Sequence, residues 1–231
     1  MKITWLGHSG FRIEIAEQVL LVDPWLAGNP VLPDNQHDTA IAGATHILLT
    51  HGHGDHASSA LNIAKTAGIP ILCIHELATM WGGKDGVETL GFNKGGTLHL
   101  GDVAVTIVNA CHSSSVDFSG DQPRASGSEA GFMIAGEGHV IYVSGDTDIM
   151  ADMDWMGDYH KPDIGILSCG GRYTMDMDRA AYATKRYFNF KTVIPCHYKT
   201  FPLLAQSAQP LVDALPGVDV KTPEVMETVT F

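Results

Sequence analysis

Between Leu48 and Ser59 the chain reads LLTHGHGDHASS, which sets His51, His53, Asp55 and His56 within six positions. Imidazole nitrogens and a carboxylate are donors that zinc and similar divalent ions accept, at roughly 2.0–2.2 Å. The run HILLT upstream predicts a strand and ASSALNIAKTAG downstream a helix, so the four side chains fall in a strand-to-helix turn, where α/β sheets commonly present ligands. His51 and His53 share one side of an extended segment by its period of two, while Asp55 and His56 enter the first helical turn and can face the same space. The plain alternative is a polar surface turn with Asp55 as a helix cap. Four donors in this order and density favour a metal site.

Three further donors follow other apolar runs. VAVTIVNACH ends in His112, HVIYVSGD in Asp146 and KTVIPCH in His197. Taken singly, a histidine after a strand is more often a hydrogen-bonded surface or core residue. Taken together, the three complete a site.

The elements that must position these donors are short strands and a few helices. KITWL, FRIEI, VLLVD, IPILCI, GFMIA and DIGILSC join the runs above as predicted strands. Helices are expected at ASSALNIAKTAG, HELATMWGG, DMDRAAYATKRYF and LLAQSAQPLVDAL, the third opening at a Thr174/Asp176 cap signal. This mixture favours an α/β arrangement of sheets covered by helices on their outer faces. No linker, repeat or low-complexity run divides the 231 residues, so a single domain over 1–231 is expected. Residues 27–38 and 113–129 are polar, carry Gly or Pro and lack periodicity, which marks them as long loops of the kind that serve binding sites.

Composition narrows the function classes. The hydrophobic fraction is 45% and the charged fraction 17%, below the usual value of about 25%, so disorder is not expected. The net charge of −12 disfavours generic attraction to nucleic acid or anionic membrane. Cys73, Cys111, Cys169 and Cys196 are scattered singly, which fits buried thiols in a reducing compartment. The N-terminus has no signal-like apolar region and no run approaches a membrane-spanning length, so a cytoplasmic protein is expected, with a homo-oligomer left open.

H-x-H-x-D-H followed by a distant His, then Asp, then His resembles the ligand order of the metallo-β-lactamase superfamily, and the likeness spans nearly the whole chain. WLGHSGFRI, LLVDPWL, GGRYTMD and PCHYKTFP further resemble the small bacterial metal-dependent hydrolases of the UPF0173 group, relatives of the L-ascorbate-6-phosphate lactonase. The resemblance implies a four-layer αββα fold, two mixed sheets between helix layers. It implies one metal on His51, His53 and His112 and a second on Asp55, His56 and His197, with Asp146 bridging. Zinc is the first expectation, with manganese, nickel or iron as alternatives. His53 departs from the diiron flavoproteins of the superfamily, which resemble this pattern but carry a carboxylate there.

A metal pair of this kind holds a hydroxide between its ions and polarises a carbonyl or phosphoryl oxygen. Asp55 would orient that hydroxide or take a proton, because one oxygen can bind metal while the other accepts a hydrogen bond. Asp23 closes VLLVD and resembles the family's acid that accepts the outer N–H of a ligating imidazole; the alternative is a turn begun at Asp23–Pro24. His8 follows the first strand as a substrate contact, a proton donor or a structural hydrogen-bonding group. Tyr173, Lys199 and Arg124 are candidate substrate contacts, the two cations suiting an anionic group. Cys111 and Cys196 precede ligands, and strand alternation turns both towards the core.

The expected function is hydrolysis of a small, anionic ester, lactone, amide or phosphoester. The alternatives are a mononuclear iron dioxygenase of the same fold, a nuclease of the superfamily, which the charge opposes, and a sensor that keeps metal only for stability.

Overall fold

The computed structural model describes residues 1–83 and 86–231. Its first sheet is built from β1 (Lys2–Trp5), β2 (Phe11–Ile15), β3 (Gln18–Val22), β4 (His46–Leu48), β5 (Ile71–Ile74) and β6 (Thr89–Phe92). A ribbon follows the next two strands of the chain: β7 (Thr97–Leu100) and β8 (Val103–Asn109) precede β9 (Ser115–Val116) and β10 (Arg124–Ala125), which pair only with each other. The second sheet joins β7 and β8 to β11 (Ala130–Gly136), β12 (His139–Val143), β13 (Ile164–Ser168), β14 (Thr192–Cys196) and β15 (Asp219–Val220). The last strand, β16 (Thr228–Thr230), returns to the first sheet beside β1.

Side-chain alternation explains the layering. Leu20, Val22 and Leu48 point to the face that meets Val105, Ile107, Phe132 and Ile141 of the second sheet. Their neighbours Leu21, Ile47 and Leu49 point the other way, onto Ile63 of α3 (Ala60–Ala67) and Leu77 and Trp81 of α4 (His75–Trp81). Strands apolar on both faces are what a sheet buried on both sides requires. Beyond the second sheet, α5 (Met153–His160), α6 (Met177–Tyr187) and α7 (Gln209–Ala214) add Met153, Met156, Ala180, Ala183 and Leu211 to the core. The expected αββα sandwich is therefore present.

The helices differ in detail from expectation. The segment after the histidine cluster forms two helices, α2 (Gly54–Ala57) and α3, rather than one. The stretch from Leu203 is helical only in α7, with Pro210 in its first turn, where the fixed φ and missing N–H cost nothing. Asp176 caps α6 as expected, accepting from the Arg179 N–H at 2.8 Å. Helices α1 (His37–Ile41) and α5 were not anticipated, α1 being too short and α5 too polar to show a clear period. Cys73, Cys169 and Cys196 are buried, but Cys111 is exposed. The strand β8 ends at Asn109, so its alternation does not extend to Cys111, and the expectation of a buried thiol there is corrected.

The pairing pattern decides where the donors gather. Strands β1, β3 and β4 run in one direction within the first sheet, and β8, β12 and β14 do so within the second. His8, Asp23 and His51 follow the first three, and His112, Asp146 and His197 follow the other three. Each of these residues thus leaves its sheet at the same kind of end.

Candidate metal centre

The chain turns sharply as it leaves the strands. His8, Asp23 and His197 adopt φ of 53°, 44° and 59°, a left-handed conformation that L residues hold only when their surroundings enforce it. The surroundings do so through hydrogen bonds: the His8 carbonyl accepts from the Trp5 indole N–H at 2.9 Å and from the His197 N–H at 3.0 Å. A Cβ added to Gly170 would collide with the His197 carbonyl, so a glycine is needed where that turn passes closest.

Two groups of proposed ligands result, beside a third that Asp23 makes with His51 and His56. Ligand atoms of His51, His53 and His112 lie within 4.8 Å of one another, as do those of His8, Asp55, His56 and His197. Asp146 stands between them, with Oδ2 at 3.1 Å from His197 Nε2, 3.5 Å from His56 Nε2 and 3.7 Å from His112 Nε2. The structure therefore brings all seven residues of the expected ligand set to one place.

Asp23 determines how two of the imidazoles face that place. Its Oδ1 accepts from the Thr50 N–H at 2.8 Å, and its Oδ2 accepts from the Thr50 hydroxyl at 2.6 Å and from His56 Nδ1–H at 2.9 Å. Because the Thr50 hydroxyl is spent on Asp23, its oxygen accepts from His51 Nδ1–H at 3.0 Å. His51 is left with an Nε2 lone pair aimed at the cluster. His56 turns its Nε2 there as well, where burial opposes its charge but Asp146 and Asp55 outweigh burial and raise its pKa well above the ordinary value, so a bound cation would take the place of that proton. The Nε2 of His51 lies 3.0 Å from His53 Nδ1, two nitrogens converging on one point.

His8 is fully buried, which removes it from direct contact with substrate. Its Nε2 lies 2.9 Å from Asp55 Oδ2 and its Nδ1 2.9 Å from Thr200 Oγ1. A carboxylate only accepts, so Nε2 carries the proton, while Nδ1 faces the Thr200 hydroxyl, which also donates to the Tyr198 carbonyl at 3.1 Å. Burial holds His8 neutral, lowering its pKa to about 4.

The electrostatics mark a place for positive charge. Burial lowers His51 well below the ordinary histidine value, with His56 adding to the effect. Burial opposes charge on His197 too, yet Asp146 outweighs it and lifts the group to about 9. Asp146 is itself held well below the carboxylate range, because His197 and His56 overcome its burial. His56 Nε2 and Asp146 Oδ1 are buried without a hydrogen-bond partner among the described residues. Orphaned buried groups of this kind are costly. Nitrogen lone pairs and carboxylate oxygens converging on one space suit a divalent cation, so the donor set fits a metal.

A cleft of about 270 Å³ opens over the cluster. Tyr173 lines it, together with Ser113 and Asp117 from the 113–129 segment. The other two expected substrate contacts lie elsewhere. Lys199 is paired with Glu224 at 3.2 Å and borders a separate cavity with Val31 and Pro33, and Arg124, on the β9–β10 ribbon, donates to Ser119 Oγ at 3.0 Å. The segment 27–38 contributes nothing to the cleft lining. Thr50, Thr200, Ser113 and Asp117 were not singled out in the sequence. Thr50 and Thr200 sit beside quoted motifs, but a hydroxyl's partner is a tertiary fact.

The sandwich with a histidine and aspartate cluster at its strand ends defines a class of protein. The family model described as Beta-lactamase superfamily domain matches residues 2–197. Relatives along almost the full chain are the UPF0173 metal-dependent hydrolases of Dinoroseobacter shibae, 66% identical over 229 residues, and Paracoccus denitrificans, 64% identical over 229 residues, with 99% of each chain covered in both cases. A solved structure, the novel metallo hydrolase Igni18 of the archaeon Ignicoccus hospitalis, superposes with a TM-score of 0.86 at 30% identity, covering 100% of this chain and 97% of its own. The chain thus belongs to the beta-lactamase superfamily and, within it, to the UPF0173 family of metal-dependent hydrolases.

Proposed function

We propose that residues 1–231 form one hydrolase domain that holds two divalent ions, zinc in the first instance, and cleaves a small ester, lactone, amide or phosphoester. The observation that carries this reading is Asp146, whose Oδ2 reaches donors of both groups at 3.1–3.7 Å. His51, His53 and His112 would hold one ion, Asp55, His56 and His197 the other, and Asp146 both. Bound there, such a pair activates water at neutral pH and polarises the substrate's carbonyl or phosphoryl oxygen. Asp55, whose Oδ2 is held by His8 at 2.9 Å, is placed to accept a proton at Oδ1 and return it to the leaving group. Tyr173 at the cleft edge is placed to orient substrate. Arg124 and Lys199, which carry part of the expectation of an anionic substrate, lie outside the cleft lining.

No helix among the described residues is long and apolar enough to cross a membrane, which is compatible with a cytoplasmic setting. The test is metal analysis of the purified protein and of two variants. About two ions per chain are expected, with His112→Ala losing one and Asp146→Ala disturbing both. Metal content unchanged by either substitution refutes the assignment, and a single iron per chain would favour oxygen chemistry instead.

A further inference from the structure

We infer that the cleft selects substrates carrying a hydrogen-bond donor or positive charge beside the scissile group, and that Asp117 is the residue that selects them. The inference rests on the metal-centre reading above and names the substrate class of that same site.

Apart from the proposed metal donors, the cleft lining offers three polar side chains: Ser113, Asp117 and Tyr173. One of these is anionic and none is cationic. Asp117 is fixed in position, because its Oδ1 accepts from the Gly54 N–H at 2.8 Å, at the opening of the helix that carries Asp55 and His56. Its other oxygen has no protein partner among the described residues. A carboxylate held by one oxygen presents the other to whatever enters, and it accepts hydrogen bonds only.

The cations that would receive an anionic substrate are occupied or absent. Lys199 is held by Glu224, and Arg124, cross-strand from Val116 beside Asp117, donates to Ser119 Oγ at 3.0 Å and is not part of the lining. Arg172 precedes Tyr173, but its guanidinium lies 5.7 Å from the centroid of that ring, an arrangement of cation on aromatic face, and it is not part of the lining. The field of a chain with net charge −12 also draws cations and repels anions at longer range. The metals would receive the reacting oxygen; the part of the substrate beyond it meets Asp117.

The experiment uses two thiols of equal spacer length and opposite tail charge, cysteamine and 3-mercaptopropionate, titrated into the cobalt-loaded protein while the thiolate-to-cobalt absorption band is followed. Both place sulfur on the metal, and once each dissociation constant is expressed per thiolate, to remove the different acidities of the two thiols, their ratio reads the charge around the tail. Cysteamine should bind more tightly by about fivefold, the upper range for an exposed charge pair, and the ratio should shrink in high salt. The variant Asp117→Asn keeps an oxygen for the Gly54 N–H while removing the charge, and should bring the ratio close to one. Equal or tighter binding of 3-mercaptopropionate, or a ratio that Asp117→Asn leaves unchanged, overturns the inference while the metal centre stands. Tighter 3-mercaptopropionate binding that Arg172→Gln abolishes would assign the cleft to anions. A protein that gives no thiolate band with either probe overturns the metal reading, and this inference with it. If the Asp117→Asn protein folds poorly, Asp117→Ser serves in its place, because the wild-type ratio alone does not separate Asp117 from the net charge of −12.

Discussion

Asp23 and His56, 33 positions apart, meet at 2.9 Å, and the same Asp23 oxygen takes the Thr50 hydroxyl that orients His51. One buried carboxylate therefore sets the tautomer of an imidazole in each proposed metal group. In Asp23→Asn an amide replaces one acceptor oxygen, and a donor then faces either His56 and the Thr50 hydroxyl or the Thr50 N–H. Asparagine tolerates the left-handed backbone, so the turn itself should survive. Zinc affinity, measured against a chromophoric chelator, should fall by roughly 10–100-fold with the circular dichroism unchanged. Unaltered affinity would return Asp23 to the role of a turn residue.

His8 supports the other side of the centre. It joins Thr200 to Asp55 by two contacts of 2.9 Å while remaining out of reach of solvent. His8→Asn keeps a residue that accepts φ of 53° but is too short to span both partners. Binding at the group containing Asp55, His56 and His197 should weaken by roughly 10–100-fold, with binding at His51, His53 and His112 retained. Stepwise cobalt titration distinguishes the two: the first equivalent should bind as before and the second should not. Equal loss of both ions would mean that His8 serves the fold rather than Asp55.

A stability prediction comes from the far end of the second sheet. Asp163 precedes β13, and its carboxylate accepts from the Val140 N–H at 2.9 Å, lies 2.9 Å from His139 Nδ1 and faces Lys191 Nζ at 3.5 Å, tying together the starts of β12, β13 and β14. Asp163→Ala should cost about 1–3 kcal/mol, read from urea unfolding, without changing metal content. Burial disfavours the charge of Asp163, but the Val140 and His139 hydrogen bonds outweigh it and hold the pKa below the ordinary 3.8. A depressed carboxylate contributes stability above its unfolded pKa and loses it as pH falls through the folded value. The difference between wild type and Asp163→Ala should thus be constant from neutral pH to about pH 5 and shrink below pH 4. A difference that grows on acidification would contradict this.

Much of this molecule was legible in the residues alone. His51, His53, Asp55 and His56 are adjacent in the chain, so a turn after one strand suffices to bring them together. His112, Asp146 and His197 each end an apolar run, and strand ends are readable wherever such a run stops. Leu20, Leu21 and Val22 are apolar in succession, which already requires a sheet covered on both faces. The tertiary structure decided what depends on distant pairing. Sequence left Asp23 between turn and orienting group, and His8 between substrate contact and support, because the partners that distinguish these roles, Thr50, His56, Asp55 and Thr200, meet them only once the strands are ordered within their sheets. The same ordering sent Lys199 to Glu224, and it left Asp117 in the cleft lining while Arg124, cross-strand from its neighbour Val116, stays outside that lining. Ligand types follow from local chemistry and spacing; the charge a substrate meets follows from which loops the two sheets carry to their shared end, and no single segment encodes that.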